Sequence, residues 1–132
     1  MDKRKVVLLV DDDKIYLKYL KKKLLEQLGT DLRIEMCSSV EEAKEIVEDE
    51  LATSGSLPKL ALVDWMLENG ETTDDLIYEM DLLYPEIPKV IHSAMIDPKT
   101  VESIQKKAQI HFFLPKPWDE TEKTEELKKL LQ

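Results

Sequence analysis

The chain has little cysteine, no long apolar run and no excess of positive charge. Its single cysteine, Cys37, rules out an internal disulfide, and a reducing compartment such as the cytoplasm is the natural setting. One cysteine and two histidines provide no Cys/His ligand set for zinc. No apolar stretch approaches membrane-spanning length. The basic start, Met1 to Lys5, runs into only five apolar residues and then three aspartates, which is not a signal-peptide pattern. Basic residues number 19 against 28 acidic ones, a net charge of -9. That balance argues against direct contact with nucleic-acid phosphates or with an anionic membrane. It favours cations, either metal ions or basic patches on other proteins. There is no internal repeat and no low-complexity segment, and 132 residues fit one domain over 1–132.

What is present is a regular alternation. Val6 to Val10 is continuously apolar, as in a strand buried on both faces. From Asp13 onward Leu17, Leu20, Leu24 and Leu28 mark one face of a helix, which Gly29 ends. Leu32 to Cys37 alternates as a half-buried strand. Ser39 and Glu42 form a capping box before a helix with Val40, Ala43, Ile46 and Val47 on its apolar face. Thr53 to Ser56 is expected as a loop. Leu60 to Val63 is a third strand. Leu76, Ile77, Met80 and Leu83 mark a third helix, closed before Pro85. Lys89 to His92 is a fourth strand, and Asp97-Pro98 caps a helix with Val101 and Ile104 facing inward. Ile110 to Leu114 is a fifth strand, and a last helix from about Asp119 is anchored by Leu127, Leu130 and Leu131. Strands alternating with helices imply an α/β fold, a parallel sheet with helices on both faces and right-handed crossovers.

In such a sheet ligands gather at the carboxyl ends of the strands. The first strand ends in Asp11, Asp12 and Asp13, the third in Asp64, the fourth in Ser93 and the fifth in Lys116. Clustered carboxylates repel one another, and their pKa values are pushed up. A divalent cation relieves that repulsion, and hard oxygen donors suit Mg²⁺. A lysine balances a second anion and a serine hydroxyl donates to one of its oxygens. Metal, lysine and hydroxyl around three equatorial oxygens are the parts of phosphoryl transfer, with one carboxylate as nucleophile.

Val10-Asp11-Asp12-Asp13, Asp64, Ser93-Ala94 and Phe112-Phe113-Leu114-Pro115-Lys116-Pro117-Trp118-Asp119 together resemble the receiver domain of bacterial two-component response regulators, over essentially the whole chain. The resemblance implies a doubly wound, flavodoxin-like (βα)5 three-layer sandwich with sheet order 2-1-3-4-5. It implies that Asp64 accepts a phosphoryl group from a phosphohistidine on a sensor histidine kinase or phosphotransfer protein. It implies Mg²⁺ held by Asp12 and Asp64 through carboxylates, by Asp11 through water and by the Met66 carbonyl. Lys116 would pair with the phosphoryl group, Ser93 would move to bond it, and Phe113 stands where the family keeps a switching aromatic. Output would be a contact with a downstream protein, and a homodimer could form through the face of the fourth helix, fifth strand and fifth helix. Asp13 more naturally opens the first helix, where negative charge is favoured.

The loop after Asp64 departs from the family pattern. Leu67 stands where methionine is usual, Glu68 where proline is, and Gly70 comes early, so an unusual path with an extra negative charge is expected there. Met66 and Met95 cannot orient a water strongly, which implies a long-lived phosphorylated state. His92 and His111 are isolated and read as structural, Cys37 as a small buried residue, Lys21-Lys22-Lys23 as a solvated helix face. Trp65 and Trp118 read as packing or partly exposed surface, with Trp65 adjoining the acceptor. Phe113 is open between core and switch. Two rivals stand beside the switch. Asp11-Asp12-Asp13 also fits the Asp-x-Asp opening of haloacid-dehalogenase-type phosphatases, with Asp11 as nucleophile and Asp13 as acid/base. That reading leaves Asp64 idle and lacks a late acidic pair on a strand after the lysine. A receiver-like adaptor working without phosphorylation is the other.

Overall fold

A computed structural model describes residues 4–67, 70–94, 96–118 and 123–132. Its elements run β1 (Lys5–Val10), α1 (Lys14–Leu28), β2 (Leu32–Cys37), α2 (Val40–Ser54), β3 (Leu60–Val63), α3 (Asp74–Leu83), β4 (Lys89–Ser93), α4 (Pro98–Lys107), β5 (Phe112–Pro115) and α5 (Thr124–Leu130). The five strands form one parallel sheet in the order β2-β1-β3-β4-β5. This is the doubly wound three-layer arrangement expected.

The period of two along β1 builds both layers. Leu8 and Val10 face one side, where Ala43 and Val47 of α2, Leu76, Ile77 and Met80 of α3 and Ile104 of α4 cover them. Val7 and Leu9 face the other, where Leu17, Leu20 and Leu24 of α1 and Leu127 and Leu131 near α5 pack. The continuous apolar run is thus the signature of a central strand buried on both faces. Among the described residues no helix is long and apolar enough to cross a membrane.

The helix starts follow their caps. Asp13 and Asp97 accept from the backbone N–H groups of Tyr16 and Thr100 at 3.0 and 2.8 Å. Ser39 Oγ accepts from Glu42 N–H at 3.1 Å. Two boundary readings change, and one inward-facing residue is corrected. α2 continues through Thr53 and Ser54, whose hydroxyls donate back to the carbonyls of Asp49 and Glu50 at 2.8 Å; Gly55 ends it in the left-handed region at φ 72°. β5 begins at Phe112, because Ile110 precedes the pairing, which starts at Phe112 against Val90. Leu83, read as inward, is 54% exposed at the end of α3. α5 is described from Thr124, and the proposed start near Asp119 lies outside the described residues.

Candidate functional site

Backbone pairing brings the first two acids together. Beyond β1, Asp11 N–H donates to Cys37 O at 3.0 Å, and beyond β3, Asp64 N–H donates to Val10 O at 2.9 Å. The ladder therefore runs one residue past each strand, and the two acids leave neighbouring strands at the same edge. Lys116 N–H donates to Ser93 O at 3.0 Å, which fixes the lysine's main chain beside β4. Its Nζ donates to Asp11 Oδ2 and, at 2.8 Å, to Asp64 Oδ2. Asp11 Oδ1 also accepts from Asp13 N–H at 2.9 Å.

Electrostatics follow from that geometry. Burial raises the Asp11 pKa, against the opposing effect of Lys116. Burial alone would lower Lys116, but its hydrogen bonds to Asp11 and Asp64 override this and hold its pKa above the ordinary value. One ammonium between two carboxylates leaves the cluster with net negative charge, the condition under which a divalent cation is attracted.

The expected residues divide by position. Asp11, Asp64 and Lys116 converge, and Ser93, 5% exposed, joins them through its carbonyl. Asp12 is half-buried in the turn after Asp11. Asp13 is the cap of α1, as its helix-opening reading requires. Met66 opens the loop beyond Asp64 and pairs with Thr72 in an antiparallel bridge. Phe113 stands apart from this group, half-buried on the α2–α4 side, where a small cavity is lined by Ile91, Val101, Ile104 and Phe113. Glu68 and Met95 lie outside the described residues. In the loop, Leu67 is buried, its N–H donates to Glu71 O at 2.8 Å, and Gly70 N–H donates to Leu67 O at 2.9 Å. Gly70 takes φ 84°, which explains the early glycine: the turn closes in the left-handed region there.

Oxygen donors fit Mg²⁺. Among the described residues no three His, Cys, Asp or Glu side chains gather closely enough to hold an ion by themselves. Mg²⁺ does not require that, since it binds through one or two carboxylates and keeps several waters.

One supporting residue beside the acids escaped the sequence reading. Thr73 is fully buried, and its hydroxyl donates to Asp64 O at 2.6 Å, tying the Asp64 main chain to the start of α3. Trp118, read as packing or partly exposed, is 1% exposed and lies in the α1–α5 core. Cys37 is buried, its thiol pushed up to about 12 by burial. His111 is exposed. His92 is 2% exposed, and burial lowers its pKa to about 4. His92 is therefore neutral in the fold, whereas the unfolded chain takes up a proton below about 6.5. The sign is fixed: stability is lost as pH falls from 6.5 toward 4. Between pH 7 and pH 5 this residue is expected to remove about 2 kcal/mol. Urea titrations at both pH values should show that loss reduced in His92→Leu; an equal loss in both proteins would refute the assignment.

No protein-family model matches the chain, and no curated protein matches it. Solved structures do. A CheY-like response regulator receiver domain protein from Methanospirillum hungatei is 24% identical, with a TM-score of 0.75 over 98% of this chain and 94% of that one. The signal receiver domain of a DNA-binding response regulator from Colwellia psychrerythraea is 16% identical, with a TM-score of 0.80 over 96% and 97%. The phosphorylated cyanobacterial phytochrome response regulator RcpA is 18% identical, with a TM-score of 0.74 over 96% and 91%. At these identities the matches show a shared fold across nearly the full length of both chains.

Proposed function

We propose that the chain is a response regulator receiver that accepts a phosphoryl group on Asp64. The observation that carries this reading is the bond of Lys116 Nζ to both Asp11 and Asp64 at the carboxyl edge of the sheet. The fold it shares with receiver domains supports it. The donor is a phosphohistidine on a sensor histidine kinase or phosphotransfer protein. An Asp64 carboxylate oxygen attacks phosphorus, the P–N bond breaks, and the electron pair leaves with the imidazole, which takes up a proton. Lys116 holds the attacking carboxylate and then faces the added negative charge. Asp11, Asp12, Asp64 and the Met66 carbonyl would hold Mg²⁺, which when bound neutralises charge on the transferring group. The chain is then a phosphoacceptor rather than an enzyme with a separate substrate.

The output is a protein contact. Charge added at Asp64 draws the Ser93 hydroxyl inward and biases the α4–β5–α5 face, with Phe113 as the moving aromatic. The same face would serve a homodimer. The phosphatase reading has less support: Asp13 is engaged as a helix cap and Asp11 is bonded on both oxygens.

Intact mass after incubation with acetyl phosphate tests the reading. One phosphoryl group is expected with Mg²⁺, none without it and none in Asp64→Asn. The adduct should outlast minutes without a phosphatase, because no strong water-orienting side chain flanks the acceptor at Met66. No uptake favours the adaptor reading. Labelling that persists in Asp64→Asn revives Asp11 as nucleophile, and loss within seconds overturns the long-lived state.

A further inference from the structure

Lys116 is held by more than its two acids. Its Nζ lies 4.9 Å from the centroid of the Tyr16 ring, within range of a cation–π contact. Tyr16 Oη is 2.6 Å from His92 Nε2, and His92 Nδ1 is 2.7 Å from Leu114 O. Trp118 N–H donates to Tyr16 Oη at 3.3 Å. The acceptor at Leu114 is a carbonyl, so His92 Nδ1 must carry the proton. In the neutral ring Nε2 is then an acceptor, and the Tyr16 hydroxyl must donate to it. Every proton in the chain is assigned: Trp118 N–H to Tyr16, Tyr16 O–H to His92, His92 Nδ1–H to Leu114. The two main-chain ends of this chain, Leu114 and Trp118, sit two residues before and two residues after Lys116. Its histidine directly precedes Ser93.

We propose that Tyr16 and His92 are positioning residues for Lys116, clamping the main chain on both sides of it while the Tyr16 ring supports its ammonium. This rests on the reading that Asp64 is phosphorylated with Lys116 as the pairing cation. A hydroxyl reaching from α1 to a histidine on β4 links the helix beside the acids to the strand that carries Ser93. The group that must hold the phosphoryl oxygens and the group that must move toward them share one support.

The test uses the whole chain, Mg²⁺ and acetyl phosphate, with initial rates of uptake read by intact mass. Tyr16→Phe keeps the ring and removes only the hydroxyl. It is expected to slow uptake about tenfold, since small misplacement of a reacting group is heavily penalised. In a Lys116→Ala background the same substitution should have no further effect, because its influence runs through Lys116. His92→Phe is expected to behave like Tyr16→Phe, and the double variant should be no slower than either single one; this second variant also carries the cycle if Tyr16→Phe does not fold. Nitrogen-15 spectra of the His92 ring should show Nδ1 protonated and Nε2 bare at neutral pH. Unchanged rates in Tyr16→Phe and His92→Phe overturn the proposal, and so do penalties that multiply in the Lys116→Ala background, which mark general damage. The opposite tautomer overturns it whatever the rates. Failure of the unsubstituted chain to take up any phosphoryl group removes the function and the positioning role together, whereas normal uptake with multiplying penalties removes only the second.

Discussion

Trp118→Ala is expected to remove about 3–5 kcal/mol of stability, the range for truncating a large buried aromatic. The side chain is 1% exposed and packs among Leu17, Leu20, Leu114 and Leu127. Those neighbours belong to three elements, α1, β5 and α5, so no single one can collapse into the void. A domain of this size is stable by about 5–15 kcal/mol, and the loss takes a large part of it. Urea unfolding followed by circular dichroism should show the midpoint fall by more than 1 M, given slopes of about 1–3 kcal/mol/M. Trp118→Phe should lose less than half as much. A shift below about 1 kcal/mol in the alanine variant would mean that the indole is not core, since core truncations cost several times that.

Lys116→Ala has the next largest expected effect, and its size depends on pH and Mg²⁺. The ammonium sits between Asp11 and Asp64, whose side chains are 6% and 11% exposed. Removing it leaves two facing carboxylates without their cation. Breaking a buried pair costs several kcal/mol; with the lysine side chain 13% exposed, about 2–3 is expected here. The Asp11 pKa, already raised, should rise further. A raised folded-state pKa contributes stability at low pH that is lost as pH rises through it. The variant should therefore recover on acidification, where the protein with Lys116 gains less. Mg²⁺ should raise the melting temperature of Lys116→Ala more than that of the unsubstituted chain, because binding to the folded state alone stabilises it. Equal Mg²⁺ shifts in both would mean that lysine and metal do not compete for one negative cluster.

The strand ends could be read from sequence because each combines two opposed signals. A fully apolar run must be buried, and an acid next to it must therefore sit at the rim; Asp11 and Asp64 announce themselves in this way. Lys116 was legible by the same rule, as the cation that follows the fifth apolar run, although its bonds to both acids were not. Thr53 and Ser54 were misassigned because hydroxyl residues beside a glycine resemble a loop. In the fold those hydroxyls return to carbonyls one turn back and extend the helix. Ile110 was placed in β5 on hydrophobicity alone, whereas the edge strand's start is set by pairing with β4. The Tyr16–His92 bond joins residues 76 apart in the chain and the Trp118–Tyr16 bond residues 102 apart. No periodicity reports a contact of that separation. Thr73 was passed over for a related reason: its partner is a main-chain carbonyl, which every residue has.

The ion pair between Lys116 and Asp11 spans 105 residues. Every strand pairing is parallel, so each closes a loop through a helix before any contact rewards it. β5 joins the sheet only at its edge against β4. Until the segment of β5 is in place, Asp11 and Asp64 have no lysine between them. Mg²⁺ bound to the folded domain is expected to stabilise it against unfolding. The negative charge gathered at the sheet edge is thus also a brake on its assembly, released when the last strand arrives.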